Sequence, residues 1–206
     1  VCPYNCLLMK IGVFGGSFNP VHNGHIELAR DIVRQGIVDK VMMVLTPLNP
    51  LKADPESLVN DQHRMAMLRL ACRPYPELEA CDIELKMPRP NYSIDTLSRL
   101  QAEHPDDTFR LIIGADNWEI FKQWRRWEEI LRNFKPIVYP RVNCDMPEED
   151  DAFVTAVKGP DFPVSSTEIR QRLIKGEPVD ELIPLDVLLY IRENDLYRKD
   201  NPQVSF

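Results

Sequence analysis

No stretch of the 206 residues approaches the roughly 18 consecutive apolar positions of a membrane span. Basic charge is short as well. The formal charge of -7 excludes a protein that holds nucleic acid through a broad basic surface, where phosphate neutralisation supplies most of the affinity. An anionic ligand must then be held by a local cluster. The five cysteines, at 2, 6, 72, 81 and 144, are odd in number and form no C-x-x-C pair, so neither a disulfide framework nor a zinc site is indicated. Reduced thiols in a cytoplasmic protein are expected. The first residues, VCPYNCLLMK, lack the basic-then-apolar layout of a signal peptide. Met9 heads the first strand-like run, so residues 1 to 8 are expected to be an upstream extension and 201 to 206 a tail.

What is present is enough apolar content, 44%, for a substantial core, and one domain over 9 to 200 is expected. Strand-like runs occur at 10 to 15 (KIGVFG), 40 to 46 (KVMMVLT), 108 to 114 (TFRLIIG) and 135 to 139 (KPIVY), with weaker ones near 78 to 85 and 152 to 158. Helical spacing lies between them: Ile26, Ala29, Val33; Met65, Leu68, Cys72; Ile94, Leu97, Leu100. Alternating strands and helices predict an α/β fold with a doubly wound parallel sheet, and 160 to 198 a small C-terminal helical part. The near-continuous apolar character of KVMMVLT and LIIG places those strands under cover on both faces. Ligands then belong at the strands' carboxyl ends. Most of the eighteen prolines sit in connections, and the acidic DMPEEDD at 145 to 151 reads as a solvated loop.

Directly after the first strand comes GGSFNPVHNGH, residues 15 to 25, leading into a helix that begins near Gly24. Free backbone N–H groups and the positive end of the helix dipole converge at such a junction. Gly15 and Gly16 allow a phosphate close to the backbone. The string is neither the G-x-x-x-x-G-K-[ST] phosphate loop nor G-x-G-x-x-G. In place of a lysine stand His22 and His25, three apart and able to face the same way, offering two N–H donors to a triphosphate. A metal pair is the competing account, disfavoured because only His63 and His104 remain and no third ligand is obvious.

The string resembles the signature G-x-F-x-P-x-H-x-G-H of the HxGH nucleotidyltransferase superfamily, matched by Gly16, Phe18, Pro20, His22, Gly24 and His25. The resemblance implies a Rossmann-like fold and nucleotidyl transfer. ATP contacts would come from Gly15, Gly16, Ser17, Phe18, His22, Gly24 and His25.

Two later strings narrow this. VSSTEIRQRL, 164 to 173, has Ser165 and Glu168 spaced as a capping box, hydroxyls at Ser165, Ser166 and Thr167 at a positive helix end, and the Arg170 fork one turn in. It resembles the superfamily's S-S-T-x-I-R element, which implies a grip on the β and γ phosphates. LIIGADNWEIFKQW, 111 to 124, sets Gly114, Asp116, Asn117 and Trp118 where a strand gives way to a helix. An acid there can bind a ribose and an indole can stack on a flat ring, although a cap and core tryptophans would look alike. The whole string resembles bacterial nicotinate mononucleotide adenylyltransferases, as does NYSIDTL, 91 to 97. That resemblance implies ATP contacts from Gly114 and Asp116, and acceptor contacts from Ser17, Asn19, Lys52, Tyr92, Ser93, Asp116, Trp118 and Trp124. Leu51 stands where many members of the family carry a histidine, so that contact does not carry over.

The resemblance thus implies transfer of the adenylyl group of ATP to nicotinate mononucleotide, with His22, His25 and Arg170 catalytic. No residue is expected to be a metal ligand, and Mg²⁺ is expected to arrive with ATP. Expected partners are those two small molecules, with no nucleic acid or membrane; a homo-oligomer is compatible with the sequence. Phosphopantetheine or an alcohol phosphate as acceptor is opposed by GADNW and NYSIDTL. A non-catalytic nucleotide sensor would be expected to lack a histidine or the late arginine, and both are here.

Overall fold

A computed structural model describes residues 8–47, 58–148, 152–157 and 164–198. The strands are β1 (Lys10–Gly16), β2 (Lys40–Leu45), β3 (Leu78–Cys81), β4 (Thr108–Gly114), β5 (Ile137–Tyr139) and β6 (Thr155–Ala156). The helices are α1 (Asn23–Arg34), α2 (Asp61–Cys72), α3 (Ser93–Glu103), α4 (Ala115–Glu119), α5 (Trp127–Phe134), α6 (Ser166–Lys175) and α7 (Leu185–Glu193), with 3-10 turns at Ile83–Lys86 and Phe121–Gln123. All described pairings are parallel, in the order β3-β2-β1-β4-β5-β6. The chain winds outward from β1 to β3, then returns to β4 on the other side of β1. The strand order therefore reverses between β1 and β4, where the carboxyl ends of parallel strands leave a crevice.

The apolar runs alternate in side and not in polarity. Along β2, Val41, Met43 and Leu45 pack with α1, α2 and α7, whereas Met42 and Val44 pack with α3 and α5. Both faces are thus covered, which is why KVMMVL shows no polar alternation. The predicted helical stripes are core: Ile26, Ala29, Met65, Leu68, Ile94, Leu97 and Leu100 are all buried. The two weaker runs shrink. Only Leu78–Cys81 and Thr155–Ala156 pair, and 83–86 coils into a 3-10 turn that buries Ile83 and Glu84.

One side chain reorganises the carboxyl edge. Arg64 of α2 is fully buried and donates to the carbonyl oxygens of Val59 (2.8 Å), Thr46 (3.0 Å), Pro47 (3.3 Å) and Ser17, while pairing with Asp61. It ties the segments that follow β1 and β2 together. A buried guanidinium is tolerable only because its donors meet acceptors in this number.

Candidate active site

The first motif folds as a strand, a tight connection and a helix with His22 at the N-cap of α1. Phe18 takes a positive φ of 42° and lays its ring over Gly16, where an added Cβ would stand 3.0 Å from that ring. A side chain at Gly16 would force that buried ring to give by a few tenths of an ångström. His22 and His25 stack with ring centroids 3.6 Å apart. His25 Nδ1 accepts the His22 backbone N–H at 3.3 Å, so the proton of a neutral His25 sits on Nε2. His22 is buried, and desolvation, with a smaller contribution from Arg141, lowers its pKa to about 3. A neutral imidazole is the form the fold enforces.

Arg141 had no place in the sequence reading. It follows the carboxyl end of β5 and lines a small recess of about 20 Å³ with His22, Gly24, His25 and Val164. Its Nη2 donates to Tyr139 Oη at 3.0 Å, and its Nε lies 3.9 Å from Asp116 Oδ1. Gly114 makes room for this: a Cβ there would run into Asp116 and the Arg141 side chain. The available signal was a cation two residues beyond a strand's carboxyl end.

The late motif joins the first. Ser165 caps α6 by accepting the Glu168 N–H at 3.1 Å, whereas the Glu168 carboxylate pairs with Arg172, so the expected capping box is only half formed. Ser166 Oγ donates to the Pro20 carbonyl (3.0 Å), and Arg170 Nη1 to that of Asn19 (2.8 Å), with Nη2 on Thr167 Oγ1 (3.3 Å). The N-terminus of α6 is thereby anchored on the connection before α1.

A larger cavity of about 300 Å³ opens beside the recess, with Phe14 and Tyr139 shared between them. Gly15, Gly16, Ser17 and Gly114 form its floor at the strand ends, and Tyr92, Ser93 and Trp124 contribute to its walls. Arg125, also in the wall, lies over the Tyr92 ring at 4.9 Å and pairs with Asp95 at 3.5 Å. Four buried side-chain polar atoms have no partner among the described residues: His22 Nδ1, Glu84 Oε2, Asn91 Oδ1 and Trp124 Nε1. All four belong to residues lining one of these two spaces. Orphaned polar groups cost free energy, so their concentration here marks a place prepared for a polar ligand.

Three residues expected at the site, Asn19, Phe18 and Trp118, lie outside the lining of both spaces. Asn19 is buried, and its Oδ1 accepts from Tyr197 Oη (2.8 Å) and the Val59 N–H (3.3 Å), so its amide braces the loop instead of facing an acceptor. Phe18 is likewise buried and supports Gly16 and His25 from beneath. Trp118 stacks on Phe121 at 5.1 Å and is outside the cavity lining, because the short α4 turns its indole onto the α3–α5 core. Trp124 is the indole at the cavity. Lys52 and Leu51 lie outside the described residues.

Residues 13–172 match the cytidylyltransferase-like family model. Among curated proteins, the chain is 39% identical over 196 residues to one of Flavobacterium psychrophilum named "Probable nicotinate-nucleotide adenylyltransferase", covering 93% of this chain and all of that one. A protein of Bacteroides thetaiotaomicron with the same name is 40% identical, covering 90% and 92%. The chain belongs to the nicotinate-nucleotide adenylyltransferase family. It is therefore a nucleotidyltransferase. Its fold is similar to that of Plasmodium falciparum nicotinic acid mononucleotide adenylyltransferase complexed with NaAD, with a TM-score of 0.73 at 20% identity, covering 91% of this chain and 97% of that one.

Proposed function

We propose that this family member transfers the adenylyl group of ATP to nicotinate mononucleotide, yielding nicotinate adenine dinucleotide and pyrophosphate in NAD biosynthesis. The observation that carries it is the pair of adjoining spaces at the sheet's switch point, one walled by imidazoles and a guanidinium, the other by aromatic rings. The donors around the recess suit phosphate oxygens at its mouth, and the aromatic cavity suits a pyridine ring.

The nucleophile is a phosphate oxygen of the acceptor. With a second pKa near 6, such a phosphate is largely dianionic at neutral pH and gives up no proton on attack. The new bond forms to the α-phosphorus of ATP as the bond to the β-phosphate oxygen breaks, and the electron pair leaves with pyrophosphate. The protein's task is in-line positioning and stabilisation of negative charge. His22, His25 and Arg141 would meet the α-phosphoryl oxygens. Arg170 and the N-terminus of α6 would hold the β and γ phosphates, and Lys52 would add a phosphate contact. Donors of this kind fit the anionic phosphates and not a cation, and no group of three His, Cys, Asp or Glu side chains among the described residues could hold a metal ion. Mg²⁺ would accordingly be bound by ATP oxygens and water, neutralising charge as pyrophosphate departs. Asp116 would hold a ribose, Ser93 at the start of α3 the ring carboxylate, and Trp124 the ring face. The reduced state of Cys72, Cys81 and Cys144 fits a cytoplasmic setting.

The test is pyrophosphate release with ATP and Mg²⁺, offering nicotinate mononucleotide, nicotinamide mononucleotide and phosphopantetheine separately. Nicotinate mononucleotide should give the highest kcat/KM; faster turnover of phosphopantetheine would overturn the assignment.

A further inference from the structure

Two of the orphaned atoms belong to residues that line the same cavity and have no part in the transfer just described. Glu84 sits on the 3-10 turn after β3 and is 6% exposed; Asn91 precedes α3 and is 5% exposed. Both line the larger cavity. They belong to one substructure, since Asn91 Nδ2 donates to the Glu84 carbonyl at 3.3 Å and to that of Pro88 at 3.5 Å. Those two bonds fix the amide orientation and leave Oδ1 as the atom without a partner. Glu84 Oε1 accepts from Thr96 Oγ1 at 2.8 Å, which leaves Oε2.

The chemistry of this pair selects its ligand. Asn91 Oδ1 can only accept, so its partner must carry a proton. A ring carboxylate carries none, and neither does a phosphate dianion. Burial pushes the Glu84 carboxyl above its ordinary range, with Thr96 and Thr46 opposing, which favours the protonated carboxyl, a donor, over the carboxylate, an acceptor only. A single hydroxyl satisfies both atoms when Glu84 is protonated, accepting from Oε2 and donating to Asn91 Oδ1; when Glu84 is ionised, the two vicinal hydroxyls of a ribose satisfy them by donating one bond each.

We propose that Glu84 and Asn91 are specificity-determining residues that recognise a ribose hydroxyl of the acceptor nucleotide, so that the enzyme selects ribonucleotide over deoxyribonucleotide acceptors. The inference rests on the acceptor being a pyridine mononucleotide whose sugar lies in the larger cavity. A site built to hydrogen-bond a hydroxyl rejects the analogue lacking it, because its own polar atoms then stay buried and unpaired.

The experiment compares nicotinate mononucleotide with its 2′-deoxy and 3′-deoxy analogues at saturating ATP, for the wild type, Asn91→Ala and Glu84→Gln. The wild type should lose at least about tenfold in kcat/KM with one analogue. In Asn91→Ala that ratio should shrink to within about threefold while the KM for ATP stays within about twofold, a pattern that mere loosening of the fold does not produce. Equal use of all three acceptors by the wild type, or an unchanged ratio in both variants, overturns the proposal. Should Asn91→Ala fail to fold, the wild-type ratios and Glu84→Gln still decide. No turnover of nicotinate mononucleotide by the wild type would instead defeat the functional reading, and this inference with it.

Discussion

His22 links the site to stability. It is neutral in the fold, with a pKa near 3, and would titrate near 6.5 in an unfolded chain. Between those values the unfolded state binds one more proton, so the stability gained by keeping the ring neutral is complete above about pH 6.5 and lost as pH falls toward 3. The wild type should therefore lose about 1.4 kcal/mol per pH unit more than His22→Asn between pH 6 and 4.5, read from urea unfolding. Parallel curves would mean that the imidazole is protonated in the fold. The two tryptophans form a second contrast. Trp124→Ala should raise the KM for the pyridine nucleotide at least about fivefold with little change for ATP, because only this indole lines the cavity. Trp118→Ala should mainly lower the melting temperature, since its ring packs on Phe121. The reverse pattern would return Trp118 to the pocket. At this scale the motif strings named His22, His25, Ser93 and Arg170 through the family resemblance; the histidines line the recess and Ser93 the cavity. Those strings could not tell Trp118 from Trp124, since both follow the same strand and only the length of α4 decides which one faces the cavity.

Elements rather than single side chains bring the early and late motifs together. Helix α6 reaches the first connection through Ser166 and Arg170, and the start of α1 is tied to the C-terminal part by Asn23, which donates to Leu182 and Glu181 carbonyls at 2.9 and 2.8 Å. Arg170→Ala should raise the KM for ATP at least about tenfold while the acceptor KM changes less than about threefold, measured by varying each substrate at saturation of the other. Ser165→Ala, which loses the cap on the Glu168 N–H, should cost about 1 kcal/mol of stability and raise the KM for ATP less than Arg170→Ala does. Unchanged ATP kinetics in Arg170→Ala would reduce the late motif to a helix start. The sequence made the elements themselves legible where the pattern was long, as in β1, β2, β4 and α1. It was weaker at β6, whose two paired residues are too few to impose a period. Arg64 was missed, although it lies four residues before Leu68 and hence on the buried stripe of α2. An arginine on such a stripe contradicts the usual apolar rule and would have been the signal.

For the molecule as a whole, Arg64 joins the segments that follow β1 and β2 on one side of the crevice. Arg64→Met should destabilise the protein by about 3–5 kcal/mol in chemical denaturation, because several carbonyls and Asp61 would be left buried or unpaired. Arg64→Lys, with one point charge in place of a fork, should retain more stability but raise both KM values. Wild-type stability in the methionine variant would show that the clamp is dispensable.

The anchoring of α6 also bears on the order in which the site is assembled as the chain is made. A ribosome delivers His22 and His25 early, yet the arginine that leans on Asn19 is about 150 residues away in sequence. A partly synthesised chain therefore possesses the signature histidines without the α6 contacts to Asn19 and Pro20. With Arg170 proposed to hold the triphosphate, ATP binding should await the docking of α6, and nucleotide bound afterwards should slow hydrogen exchange most in α6 and in the turn that holds Asn19.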